Sequence, residues 1–583
     1  MRSPASEGGH FPPGRPAGWQ RALHYWPLLA VLGWLPGIAD LALFDPDEGR
    51  NASIARSMAE SGDWLIPQLN GIPFLDKPFL FFAAEAGAMR LFGASELSAR
   101  LPSLLAGGAL VALLAWWARR QWGETPAILA AGATATSLLV LVFSRAATFD
   151  ALLTLCTTVA LLAFHEAIES PPGQPGEAPS VFWPGRSGWL LLAWGAMAAG
   201  TLTKGPVALL LPLGVASLYG AWRRRFRTIW SLSGVVAGLG LLCGWLALVE
   251  QRMPGFLRYA LVEESWRRVT TDQFQRTGPI WYFLPILLAG AFPWVIAPWV
   301  RPGWLFRRRR EAPGAEIFLA IWLLMPLLLL SLSQSKRPQY MLPLVPAIAL
   351  LAARSLSDPG SRRRAVRIAG TVLCAVGIAL LAARSSLAAQ LGRKQGIATT
   401  DLHRFALLFG IVLLLAGIGG LWAAGRRLGG IVAISLPVLA LPVLSRSVAL
   451  AVSDDRSSRP LAEVLEPYVA ERFAIVGLDT FVPSLPFYLG TNVVLCADDF
   501  GEMTSNSMLH FERRIVTADR DALLPADCWR RRIAQEVPLH SIFLLKSGRA
   551  SEIAALGERG LVRLYESRKL VAFGPAEEDV RHD

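Results

Sequence analysis

The sequence predicts an α-helical multi-span membrane protein of about 13 spans, ending in a C-terminal soluble α/β domain. Three observations carry that reading. Long apolar runs recur between residues 26 and 452 of a 583-residue chain. Only 17% of the residues are charged and 53% are hydrophobic, whereas soluble domains carry roughly 25% charged residues. Arginine clusters fall in short loops between the apolar runs, as they do in cytoplasmic loops.

In chain order, the tail 1–23 is rich in Pro and Gly and carries Arg2 and Arg15. The first apolar run, 24–44, is too long for a signal-peptide core and lacks a small-residue cleavage site, so it reads as a retained span. A span needs roughly 20 apolar residues. Further candidates are 101–118, 125–143, 149–167, 188–203, 205–222, 229–250, 279–300, 316–334, 341–354, 366–384, 404–424 and 429–452, giving a transmembrane domain over 24–452. With the tail cytoplasmic, strict alternation puts the arginine clusters at 119–120, 223–225, 307–310, 362–364 and 426–427 all on the cytoplasmic side. The loop 45–100, the junctions at 144–150 and 203–204, the loop 251–278 and the turn 335–340 then face outward, together with 453–583.

The segment 453–583 changes character. Residues 473–478, 493–496 and 541–545 read as short buried strands, with helical stretches at 462–472 and 551–556, which is a small α/β pattern. Of the five cysteines, Cys156, Cys243 and Cys374 lie in apolar runs and read as small hydrophobes. Cys496 and Cys528 both fall in the C-terminal part, where a disulfide would require an oxidising compartment. The net charge of +13 does not point to nucleic acid, because no basic, aromatic-interleaved module accompanies it.

The polar residues that need explaining lie on the outward face. In FDPDEGR (44–50), Asp45, Pro46 and Glu48 have the spacing of a capping box with Pro at the first helical position. Ile54, Ala55, Met58 and Ala59 continue with helical spacing, and Gly62 reads as the stop. The cap accounts for Asp45 and Glu48 and leaves Asp47 over. Asp76-Lys77-Pro78 reads equally as a turn or as a site. Asp150 opens an apolar run and has an N-cap reading, but an ionisable group at a span's edge is usually functional. Lys204 sits between two apolar runs with no acid nearby in sequence. Glu263, Glu264, Arg267 and Arg268 fit a solvated amphipathic helix. Arg50, Lys77, Lys204, Arg268, Lys336 and Arg337 together supply more outward cation than structure requires, and clustered cations at headgroup level suit a phosphate-bearing lipid.

With these residues in hand, the chain resembles the bacterial lipid A aminoarabinose transferases and, more distantly, the protein O-mannosyltransferases. The matching stretches are DPDEGRNASIARSMAESGDWLIPQLNGIPFLDKP (45–78), SRAATFDALLTL (144–155), LTKGPVALLLP (202–212), PGFLRYALVEESWRR (254–268), GPIWYFLPILLAGAFPW (278–294) and SLSQSKRPQYMLPLVPAIALLAA (331–353). They keep their order. The resemblance implies a GT-C-like, polyprenyl-phosphate-sugar-dependent glycosyltransferase of the bacterial inner membrane, with its active site and C-terminal domain periplasmic. It implies that Asp47 and Asp150 are the catalytic acids, and that Arg50, Lys77, Lys204 and Tyr340 surround the carrier phosphate and the cavity; Arg268 joins them as a candidate substrate-binding residue on its charge and outward position. Where the family often has Glu-His in the later loop, this chain has Glu264-Ser265. A divalent metal would then rest on oxygen ligands such as Asp76 and Glu264.

The implied chemistry suits the residues. A sugar on a polyprenyl phosphate already carries a good leaving group. Inverting transfer therefore needs cationic charge on the departing phosphate and a carboxylate, Asp47, to orient or deprotonate the attacking oxygen. The expected partners are a polyprenyl-phosphate-linked sugar, a glycolipid or protein acceptor, and membrane lipids. The rival class is a carrier or flippase for lipid-linked sugar, which often shows internal repeats and spans broken at the midplane. No clear repeat is present here, and the polar residues sit at one rim.

Overall fold

The computed structural model describes residues 25–170, 185–267, 278–300, 314–426, 428–519, 521–535 and 539–575. The tail 1–23, the arginine run 307–310, Arg268 and the side chain of Glu264 lie outside them. Seven described helices are long and apolar enough to cross a membrane, and up to ten spans result if each of three bent helix pairs is one span. Eleven of the 13 expected stretches contain such a helix, such a helix pair or the shorter apolar helix Val207–Trp222, and a twelfth, 188–203, forms the helix Arg186–Lys204, which is long enough but less apolar. The expected count is therefore reduced for physical reasons. The run 24–44 forms only the helix Trp26–Leu32 and then breaks into turns. The helix Val207–Trp222 has 16 residues, about 24 Å at 1.5 Å per residue. The stretch 279–300 is bent by 99° between Phe283–Gly290 and Trp294–Val300.

The 45–100 loop is itself structured. It holds the helices Asp47–Ser61 and Leu80–Phe92 and a two-residue antiparallel hairpin, β1 (Gln68–Leu69) with β2 (Ile72–Pro73). The first helix stops as expected at Gly62, which takes the left-handed conformation (φ 74°) and donates its N–H to Met58 O.

The C-terminal part is built on a mixed five-stranded sheet. Its strands are β3 (Ala474–Leu478), β4 (Val494–Cys496), β5 (Ser541–Lys546), β6 (Val562–Glu566) and β7 (Leu570–Gly574), in the order β4-β3-β5-β7-β6. β3, β4 and β5 pair in parallel, and β6 and β7 extend the sheet antiparallel. The first three match the expected strands closely. The β6–β7 hairpin was not expected. Cys496 at the end of β4 is disulfide-bonded to Cys528, with Cα atoms 5.8 Å apart.

One apolar core joins this sheet to the 45–100 loop. Ile54, Met58, Phe74, Phe81 and Phe82 from the loop pack in the same cluster as Leu485, Phe487, Met508 and Phe511. Polar contacts reinforce it. Ser53 Oγ donates to Pro483 O (2.5 Å), and Asn70 exchanges two 2.7 Å hydrogen bonds with the backbone of Val493. The C-terminal part thus braces the loop that carries the expected site.

Candidate active site at the start of the loop

The helix Asp47–Ser61 is positioned by Glu48 rather than by a capping box. The Glu48 carboxylate is buried and accepts four hydrogen bonds: from Arg100 Nε (3.0 Å) and Nη2 (2.8 Å), Phe44 N (3.0 Å) and Ala147 N (2.8 Å). Arg100 in turn uses all five of its donors, giving the other three to Ile38 O, Leu41 O and Ala42 O. Burial alone would raise the Glu48 carboxyl, but the Arg100 guanidinium and the two backbone amides hold it below the usual carboxylate value. Glu48 therefore pins the 38–48 stretch to the 147 turn and fixes the helix start.

Asp45 does not cap the helix. Its carboxylate turns to the C-terminal part, where Oδ2 accepts from Ser484 Oγ. Gly49 makes this approach possible, since a Cβ there would lie 2.3 Å from Asp45 Oδ1 and 2.5 Å from Ser484 Cβ. Asp45 Oδ1 is buried and has no hydrogen-bond partner among the described residues. Burial pushes the Asp45 carboxyl up to about 7, against the lowering effect of Ser484 and Arg50. Between its ordinary 3.8 and about 7, the folded protein holds a proton that the unfolded chain has released. Stability should fall as pH rises through that window, by up to about 4 kcal/mol, and level off above it. Melting temperatures in detergent from pH 4 to 8 should show this slope in the wild type and a flatter one in Asp45→Asn. Identical profiles would refute the assignment.

Asp47, one turn face away, is different. It opens its helix, where a negative charge is favoured, and its side chain is 47% exposed. Arg50 Nη2 donates to its Oδ1 at 2.6 Å. Arg337 Nη1 lies 3.8 Å from its Oδ2. Arg50 also lies over the ring of Phe74, 5.6 Å from its centroid, which brings the 74–78 turn alongside.

A second cluster adjoins. Asp150 is the first residue of the helix Asp150–Glu169 but makes no capping bond. Its buried carboxylate is ion-paired with Lys204, the last residue of the helix Arg186–Lys204. Lys204 Nζ lies over the Tyr340 ring, 5.7 Å from its centroid. Two links join the clusters. Asn51 Nδ2 donates to Ala147 O (2.9 Å), just before Asp150, and the 337–344 turn supplies both Arg337 and Tyr340. Five of the expected site residues, Asp47, Arg50, Asp150, Lys204 and Tyr340, thus meet at one rim.

The remaining expectations fare differently. Lys77 donates to Asp76 O at 2.5 Å, on the 74–78 turn whose Phe74 ring lies under Arg50. Asp76 is engaged by three donors: Oδ1 accepts from Tyr259 Oη (2.6 Å) and Ser507 N (2.7 Å), and Oδ2 from Asn506 N (3.1 Å). It ties the 259–267 segment to the C-terminal part. Among the described residues no group of three or more His, Cys, Asp or Glu could hold a metal ion. Both Asp76 oxygens are thus taken by donors, and the side chain of Glu264, its expected partner at a metal, lies outside the described residues. Lys336 donates to Ser331 O and Ser333 O (3.0 and 2.6 Å) at the end of the helix Gly314–Leu332, a structural role that satisfies terminal carbonyls. Arg337, by contrast, joins the site. From sequence it is only one of the outward cations.

The profile of the family described as dolichyl-phosphate-mannose-protein mannosyltransferase matches residues 76–247. Among curated proteins, the undecaprenyl phosphate-alpha-4-amino-4-deoxy-L-arabinose arabinosyl transferase of Edwardsiella ictaluri is 32% identical over 61% of this chain and 64% of its own length. The protein of the same name from Erwinia tasmaniensis is 31% identical over 70% of this chain and 73% of its own. Among solved structures, ArnT from Cupriavidus metallidurans bound to undecaprenyl phosphate superposes with a TM-score of 0.74 at 23% identity, covering 96% of this chain and 100% of that one.

Proposed function

The chain belongs to the family of undecaprenyl phosphate-α-4-amino-4-deoxy-L-arabinose arabinosyl transferases, and from that premise we propose that it is an inverting membrane glycosyltransferase of the GT-C type. It moves a sugar from a polyprenyl phosphate to a lipid A-like glycolipid at the outer face of the bacterial inner membrane. The observation that carries this reading is the half-exposed Asp47 carboxylate held between Arg50 and Arg337, beside the buried Asp150–Lys204 pair.

In the reaction, an acceptor oxygen attacks the anomeric carbon and forms the new C–O bond as the bond to the phosphate oxygen breaks. Asp47 orients the acceptor hydroxyl and takes its proton. The polyprenyl phosphate leaves with the electron pair, and the nearby cations Arg50, Arg337, Lys77 and Lys204 balance its charge. Asp150 holds Lys204 at the end of its helix, so this ammonium is fixed before the phosphate arrives. Incubation of the purified protein with polyprenyl-phospho-sugar and a lipid A acceptor should release polyprenyl phosphate and glycosylate the acceptor. A carrier would move the donor intact, and no release would overturn the reading.

A second reading, transfer to Ser/Thr of a protein, is favoured by the match of residues 76–247 to the mannosyltransferase profile. It shares the donor side. Glycosylation of a Ser/Thr peptide in place of lipid A would select it.

The Cys496–Cys528 disulfide supports a periplasmic C-terminal domain, since such bonds persist in oxidising compartments. In spheroplasts, maleimide should label these two cysteines only after reduction. Cys496→Ser with Cys528→Ser should lower stability by about 2–4 kcal/mol, read as a fall in melting temperature.

A further inference from the structure

We propose that the cavity between the helix ending at Val300 and the first turns of the helix Pro359–Gln395 binds an anionic phospholipid, in the membrane leaflet opposite the Asp47 site. The cavity measures about 600 Å³ and is lined by Ile296, Trp299, Val300, Arg364, Arg367 and Ile368. Its position follows from the segment Pro338–Leu356. That segment starts beside Tyr340 at the site and ends where Ser355 Oγ donates to Ala297 O (2.6 Å). Its 19 residues span roughly 30 Å, the thickness of the hydrocarbon core.

The lining has two chemistries. Arg364 and Arg367 stand three residues apart on one helical face and are both exposed. Among the described residues neither is paired with a carboxylate. Arg364 Nε makes only a 3.5 Å contact with Gly360 O. Glu316, which reaches this end from the Gly314–Leu332 helix, is already paired with Arg354 at 2.9 Å. The turn that presents the arginines is fixed, because Asp358 caps the helix by accepting from Ser361 N (2.8 Å). The rest of the lining is apolar. Trp299 is 62% exposed and Ile368 47% exposed, and tryptophan is favoured at the membrane–water boundary. Two guanidiniums with no carboxylate partner among the described residues, above an apolar trough, match a lipid phosphate above its acyl chains. A free phosphate would use the arginines and leave the trough bare. The inference does not depend on the glycosyl-transfer reading.

Native mass spectrometry of the full chain in detergent, titrated with phosphatidylglycerol, phosphatidylcholine or inorganic phosphate, tests it. Phosphatidylglycerol should give a saturable adduct that the other two do not. Arg364→Gln with Arg367→Gln should weaken that adduct about 30-fold, at about 1 kcal/mol per arginine and 1.4 kcal/mol per tenfold. Trp299→Ala should weaken it as well. Arg363→Gln, an exposed arginine of the same helix outside the lining, should leave it unchanged. Equal binding of phosphatidylcholine, binding of inorganic phosphate alone, or equal loss in Arg363→Gln would overturn the proposal. If the double glutamine variant does not fold, Arg364→Lys with Arg367→Lys keeps the charge. It should keep the adduct, while Trp299→Ala still loses it, and failure of either result would overturn the proposal too.

Discussion

Asp47→Asn should reduce glycosyl transfer by about 10²–10⁴-fold, the usual contribution of a positioned general base, while the protein folds and inserts normally. The geometry separates these outcomes. Asp47 is 47% exposed and its partners Arg50 and Arg337 are at the rim, so its ion pairs contribute at most about 1 kcal/mol to stability. The amide keeps the shape and can still accept from Arg50, but it cannot take a proton from the acceptor hydroxyl. Donor affinity, measured with polyprenyl phosphate, should therefore change little or rise, since one negative charge near the phosphate is gone. Asp47→Glu keeps the carboxylate but moves it by one methylene, and misplacement on this scale costs catalysis as well. Asp150→Asn is the informative contrast. Its carboxylate is buried against Lys204, so its loss leaves a half-buried ammonium without its carboxylate and should lower both stability and donor binding. Transfer by Asp47→Asn within a few-fold of wild type would remove Asp47 from the chemistry and move the search for a base elsewhere on the rim.

The residues differ in how far their sequence disclosed their place. Apolar runs announce helices because burial in lipid or protein requires them, and 12 of 13 stretches did so. β3, β4 and β5 were legible as short continuous apolar runs, whereas β6 alternates Val562 and Leu564 with charged Arg563 at the sheet's edge, and a short amphipathic pattern of this kind is easily lost among loops. The site residues were visible as polar groups without a structural need. Their pairings were not visible, because a partner 54 residues away, as Lys204 is from Asp150, leaves no local pattern. Asp45 shows the converse. Its spacing satisfies the capping rule, yet its carboxylate binds Ser484, 439 residues on. A tertiary contact outweighed a local preference worth about 1 kcal/mol. Arg100 lies just outside the expected span 101–118, where no local pattern marks it, although it organises the loop.

Arg100→Met should be among the most destabilising single changes in the loop, costing about 3–5 kcal/mol. It leaves Glu48 buried with two of its four hydrogen bonds gone, and it frees three carbonyls of the 38–42 stretch. The neighbourhood offers no relief. Glu85 is fully buried, and among the described residues neither of its carboxylate oxygens has a hydrogen-bond partner. Burial, with the Glu48 charge adding to it, already pushes its carboxyl well above the usual value. Replacing both members of the pair, Glu48→Leu with Arg100→Met, removes the stranded charge and should recover part of the lost stability, a coupling that a double-mutant cycle measures. Activity should not recover with it. Glu48 bonds Phe44 N and Ala147 N, so it holds both the start of the Asp47 helix and the turn leading to Asp150, and an apolar replacement holds neither. Recovery of melting temperature with transfer still depressed would place the Glu48–Arg100 pair as the positioning element of the site. Recovery of both together would reduce it to a stability contact, and the register of Asp47 against Asp150 would then have to be set by Asn51 and the 337–340 turn alone.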